Sequence, residues 1–136
     1  MQKINTICLV DDDEIYVFLA KHTIQNLGIC DQVLSFSNGF EAIEYLKATI
    51  DFPDKIPQLI LLDIDMPVMN GWDFLTEYAL IKDKLRDEIV IYMASMSMAI
   101  EDITRAENYA EITAYLPKPI RSNEFLTISQ RLLLSA

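Results

Sequence analysis

Short apolar runs alternate with helix-periodic segments from one end of this chain to the other, and that alternation restricts the fold more than any other feature. Ile4–Val10 (INTICLV) is almost wholly apolar and stops at three aspartates, the pattern of a strand buried on both faces. Over Glu14–Leu27 the positions Tyr16, Leu19, Ala20, Thr23, Ile24 and Leu27 return every three or four residues. That spacing predicts a helix with these side chains inward, stopped by Gly28. Cys30–Phe36 reads as a second strand, and Asn38 as the cap of a second helix that turns Ala42, Ile43 and Leu46 inward. Pro53 and Pro57 mark an irregular connection.

Residues 58–63 (QLILLD) form the most apolar run and are expected at the centre of a sheet. A loop with Pro67 and Gly71 leads to a helix carrying Phe74, Leu75 and Tyr78 on one face. Residues 89–93 predict a fourth strand, and Ala99, Ile103, Ala106 and Ala110 line a fourth helix. A short fifth strand at 112–116 and a helix marked by Phe125, Ile128, Ser129 and Leu132 complete the pattern. Five strands alternating with five helices imply an α/β fold, a parallel sheet covered on both faces. The open, doubly wound form is expected, since a closed barrel takes about eight such units. The 136 residues fit one domain, 1–136, and no repeat or linker divides them.

Charge narrows the function. Twenty-one acidic residues against 11 basic ones give a formal net charge of −10, a field that repels nucleic acid and anionic membrane surfaces. No stretch approaches the roughly 20 apolar residues that span a bilayer, and no signal peptide is visible, so a cytoplasmic location is expected. Cys8 and Cys30 sit in apolar runs and read as reduced thiols that pack as small hydrophobes.

In open parallel sheets ligands bind at the carboxyl ends of the strands. There the first strand ends in Asp11, Asp12 and Asp13, the third in Asp63, the fourth in Ser95 and the fifth in Lys118. Asp13 alone reads as a helix cap. Two unit charges about 4 Å apart at an effective dielectric near 20 repel by roughly 4 kcal/mol, so the remaining acids need a counter-charge. A hard divalent cation such as Mg²⁺ supplies one to oxygen ligands. Lys118 and Ser95 offer an ammonium and a hydroxyl to phosphoryl oxygens, and the set resembles a phosphoryl-transfer site.

On LVDDD at 9–13, LLDIDMPVMNGWDFL at 61–75, IYMAS at 91–95 and AYLPKP at 114–119, the sequence resembles the receiver domains of bacterial response regulators over essentially its whole length. The resemblance implies a flavodoxin-like (βα)5 fold with strand order 2-1-3-4-5. It implies Asp63 as phosphoacceptor, charged from a histidine kinase or histidine phosphotransfer protein. Asp12 and Asp63 would ligate Mg²⁺ directly, with Asp11 acting through a water and Asp65 through its backbone carbonyl. Ser95 would hydrogen-bond the phosphoryl group, Lys118 would pair with it beside a cis Lys118–Pro119 bond, and Tyr115 would swing inward as the switch. The output face would be the fourth helix, fifth strand and fifth helix. Output is expected to pass to another protein, because the chain ends soon after the last helix.

Three residues depart from the commonest family pattern. Met96 stands where a small residue is usual and is expected to narrow access to Asp63. Asp65 adds a carboxylate beside the site, and Pro117 removes a backbone donor, which an edge strand tolerates. His22 reads as a surface residue, Trp72 as packing, and Met93, Met96 and Met98 as core or loop packing. Two rival functions follow from the same residues. One is a degenerate receiver acting only as a protein-binding module. The other is a phosphatase of the haloacid dehalogenase type, whose nucleophile motif Asp63-Ile64-Asp65 resembles, although the acidic pair here precedes that motif.

Overall fold

The strands are β1 (Ile4–Val10), β2 (Cys30–Phe36), β3 (Leu59–Leu62), β4 (Val90–Ser95) and β5 (Ile112–Pro117). In this computed structural model, which describes residues 3–135, all strand pairs are parallel and the order is β2-β1-β3-β4-β5. The most apolar run, β3, is buried along its whole length at the centre, as expected of a strand covered on both sides.

The helices are α1 (Glu14–Leu27), α2 (Gly39–Ala48), α3 (Gly71–Ile81), α4 (Ile100–Glu107) and α5 (Ser122–Ser135). Successive side chains of a strand point to opposite faces, so Ile60 and Leu62 of β3 join one core and Leu59 and Leu61 the other. The first core holds Ala42, Ile43 and Leu46 of α2, Phe74, Leu75 and Tyr78 of α3, and Ala106 of α4. The second holds Ala20 and Ile24 of α1 with Phe125 and Ile128 of α5. This is the flavodoxin-like, doubly wound arrangement predicted above.

The helix boundaries follow from their caps. The Asp13 carboxylate accepts from the N–H groups of Ile15 and Tyr16, each at 3.1 Å, and Gly28 closes α1 in the left-handed conformation at φ 64°. Asn38 and Asn70 cap α2 and α3 by accepting from Glu41 and Asp73, both at 2.9 Å.

Several details differ from the sequence expectation. Leu19 is 56% exposed while Val17 is half-buried, so the inner stripe of α1 is turned by a small angle from the predicted one. β4 runs two residues beyond Met93, because Ala94 and Ser95 pair with Leu116 and Pro117 of β5. The proline-marked connection holds one 3-10 turn, Pro53–Lys55. α4 stops at Glu107, leaving Ala99 and Ala110 exposed outside it. Of the three methionines, Met93 is core but Met96 and Met98 are exposed. Cys8 and Cys30 are free thiols; Cys8 pairs with Leu34 whereas Cys30 pairs with Ile4, which separates them along the strands.

Candidate functional site

The strand order reverses direction between β1 and β3, and the loops leaving those two strands diverge around a crevice. Asp11 and Asp12 follow β1, and Asp63 follows β3 directly. One carboxylate oxygen from each of the three lies within 4.8 Å of the others. Asp12 is exposed, whereas Asp11 and Asp63 are buried. The Asp11 carboxylate also accepts from the Asp13 N–H at 2.9 Å, which fixes it to the start of α1.

Lys118 reaches the same point from beyond β5. Its side chain is only 5% exposed, and its ammonium pairs with Asp11 Oδ2 and lies 3.4 Å from Asp63 Oδ1. The Lys118 N–H donates to the Ser95 carbonyl at 3.0 Å, so lysine and serine are neighbours through the backbone. The Lys118–Pro119 peptide is cis. β5 is an edge strand, so Pro117 removes no ladder bond from the sheet interior.

Three carboxylates against one ammonium leave the crevice negative. Burial, and secondly the charge of Asp11, push the pKa of Asp63 up to about 6 despite the opposing Lys118. Burial also raises Asp11, with its hydrogen bond to Lys118 as the main opposing influence. A group of hard oxygen donors whose ionised forms are held at such cost suits a hard divalent cation.

Gly71 closes the far side. A Cβ there would strike the Asp63 carbonyl oxygen, and the Gly71 N–H donates to the Ile64 carbonyl at 2.8 Å. Only glycine lets α3 begin this close to Asp63. Asp65 is exposed in the intervening loop, as is Met96 after Ser95. The Ser95 hydroxyl is buried and accepts from the Ser97 N–H at 3.1 Å. Tyr115, half-buried on β5, donates its hydroxyl proton to the Ser97 carbonyl at 2.7 Å.

Sequence reading missed two participants. Ser97 links the site to α4, since its hydroxyl donates to Asp102 at 2.6 Å while its backbone serves Ser95 and Tyr115. Tyr16 was assigned only to a helix stripe, yet its ring lies 4.4 Å from the Lys118 ammonium. The stripe itself carried the signal, because it put an aromatic ring one turn beyond the acidic cluster.

An acidic pair, a lone aspartate, a hydroxyl and a lysine on successive strand ends of a flavodoxin-like sheet define a carboxylate–lysine switch-point site. Residues 7–130 match the family model of the response regulator receiver domain, and the chain belongs to that family, a receiver domain of two-component signalling. It is 32% identical over 118 residues to the sensor histidine kinase CheAY of Helicobacter pylori, covering 87% of this chain but 13% of that protein. It is 25% identical over 114 residues to the probable methanogenesis regulatory protein FilR2 of Methanothrix harundinacea, covering 84% of this chain and 72% of that one. A two-component response regulator from Cytophaga hutchinsonii superposes with a TM-score of 0.88 at 26% identity, covering 98% of this chain and 99% of its own.

Proposed function

We propose that this receiver domain, comprising residues 1–136, is a phosphorylation switch in which Asp63 accepts a phosphoryl group from a phosphohistidine. The observation that carries the reading is the meeting of the Asp11, Asp12 and Asp63 carboxylates with the Lys118 ammonium. An Asp63 oxygen attacks phosphorus, the bond from phosphorus to the histidine nitrogen breaks, and the imidazole leaves as the acyl phosphate forms. Asp12 and Asp63 would hold Mg²⁺ directly, Asp11 through a water, and Asp65 through its backbone carbonyl. When bound, the cation neutralises charge on the carboxylates and on the incoming phosphoryl oxygens. Lys118 then pairs with a phosphoryl oxygen, and the Ser95 hydroxyl donates to another. Met96, the exposed residue that follows Ser95, would limit access to Asp63.

The transferred group adds nearly two negative charges. Two charge-assisted hydrogen bonds of roughly 1.5–3 kcal/mol each, from Ser95 and Lys118, supply most of the approximately 5.5 kcal/mol that reverses a 1:99 population. Movement at Ser95 reaches Tyr115 and Asp102 through Ser97, which directs the output to the α4–β5–α5 face and a partner protein. A histidine kinase or phosphotransfer protein is the donor, and the acidic chain works in the cytoplasm without nucleic acid or membrane.

Incubation with Mg²⁺ and acetyl phosphate or beryllofluoride tests this. A change in Trp72 fluorescence is expected in the wild type and not in Asp63→Asn. An equal response from both proteins, or none from the wild type, rejects it.

A further inference from the structure

Tyr16 holds no place in the chemistry above, yet it touches the ammonium on which that chemistry depends. The Asp13 cap takes the Tyr16 N–H at 3.1 Å and so sets where the ring leaves α1. The ring centre lies 4.4 Å from Lys118 Nζ, well inside cation–π range. The Tyr16 hydroxyl is buried and has no hydrogen-bond partner among the described residues, which leaves the ring face as its contact with the site.

Among the described residues Lys118 thus has three supports: Asp11, Asp63 and the Tyr16 face. The two carboxylates belong to the cluster a cation would occupy, and Asp63 is the group that would be phosphorylated. Both are therefore engaged elsewhere when the site is in use, while the ring is not. A lysine is a point charge on a flexible four-carbon stem and needs such a support to stay aimed. An aromatic face attracts the ammonium without offering a hydrogen-bond acceptor that competes with phosphoryl oxygens.

We propose that Tyr16 is a positioning residue whose ring holds the Lys118 ammonium toward Asp63 throughout phosphoryl transfer. The proposal rests on the reading of Asp63 as phosphoacceptor.

The test compares wild type, Tyr16→Phe and Tyr16→Leu by two measurements. The first is the NMR shift of the Lys118 ε-methylene protons, which sense the ring current and need no phosphoryl donor. They should be shifted in wild type and Phe and unshifted in Leu. The second is the rate of acetyl phosphate uptake at saturating Mg²⁺. Phe should stay within about twofold of wild type and Leu should slow by about 3- to 30-fold, the weight of one cation–π contact. Mg²⁺ titration of Trp72 fluorescence should give all three similar affinities, which separates lost positioning from a damaged fold. Equal Lys118 shifts in all three proteins overturn the contact. A normal rate in Leu, or a Phe variant as slow as Leu, overturns the positioning role. A wild type with the shift but no uptake overturns the phosphoacceptor reading instead, and the role falls with it.

Discussion

Asp63 shows how a buried carboxylate strains the fold that carries it. Its pKa of about 6 stands above the 3.8 of a free carboxyl, so the folded state binds its proton more tightly than the unfolded state does. With the shift in that direction, ionising Asp63 opposes folding, and its contribution to stability falls as pH rises from about 4 to 6. Asp63→Asn removes the charge and keeps the shape. Its stability should match wild type near pH 4 and exceed it by on the order of 2–3 kcal/mol at pH 7 without Mg²⁺, measured by urea unfolding. A difference that does not vary with pH contradicts this account. Val68 is strained in another way. It sits at φ 68° in a turn closed by the Met69 N–H on the Pro67 carbonyl at 2.7 Å, a conformation that a β-branched residue adopts at a cost. Val68 is 81% exposed, so a replacement loses little packing. Val68→Gly, which has no Cβ to strain, should therefore raise stability by about 0.5–1 kcal/mol, and unchanged urea midpoints would refute the strain. Asp11, Asp12, Asp63 and Lys118 were legible because each follows a readable strand. Val68 was not, since no glycine or asparagine marks its turn. Nor was the contact of Tyr16 with Lys118, which joins residues about a hundred positions apart.

Among the helices, α3 and α4 show what sequence periodicity can and cannot convey. Large apolar residues marked α3 correctly: Phe74, Leu75 and Tyr78 are each buried. The stripe predicted for α4 was mostly alanine, a strong helix former that gains little from burial, so its spacing says little about which face turns inward. Only Ala106 of α4 is buried, and the Ala99 cap position has no side-chain hydrogen bond. An eight-residue helix is too short to persist without tertiary support. One such support is Arg105, which lies 4.4 Å over the Trp72 ring, on which Tyr109 stacks at 5.5 Å. Ser97 holds the other end through Asp102 at 2.6 Å. Arg105→Ala should destabilise the protein by about 0.5–1 kcal/mol and speed amide exchange across α4 more than across α3. Uniform acceleration over both helices would mean that the Arg105–Trp72 stack does not anchor α4 specifically. Weak anchoring at this element is compatible with the output face proposed above.

On the scale of the whole molecule, folding, protonation and the proposed cation binding draw on the same three carboxylates. The formal charge of −10 gathers cations around the chain generally, but only the Asp11, Asp12 and Asp63 crevice offers three converging acids among the described residues. A cation bound by the folded state alone raises stability with the logarithm of its excess over Kd. Protons and Lys118 compete with it for the same oxygens, and the competition has a definite sign. As pH falls through about 6, protonation of Asp63 should shrink the rise in Tm produced by saturating Mg²⁺, and that rise should be full above pH 7. Lys118→Met keeps most of the side-chain volume but removes the competing ammonium. It should lower the Tm without metal, because Asp11 and Asp63 lose their partner, and enlarge the Mg²⁺-induced rise at pH 7. A Mg²⁺ effect indifferent to pH, or smaller in Lys118→Met than in wild type, would show that the ion binds elsewhere on the acidic surface. The opposite pattern means that Lys118 shares the crevice oxygens with the added ion and holds the crevice together when no ion is bound.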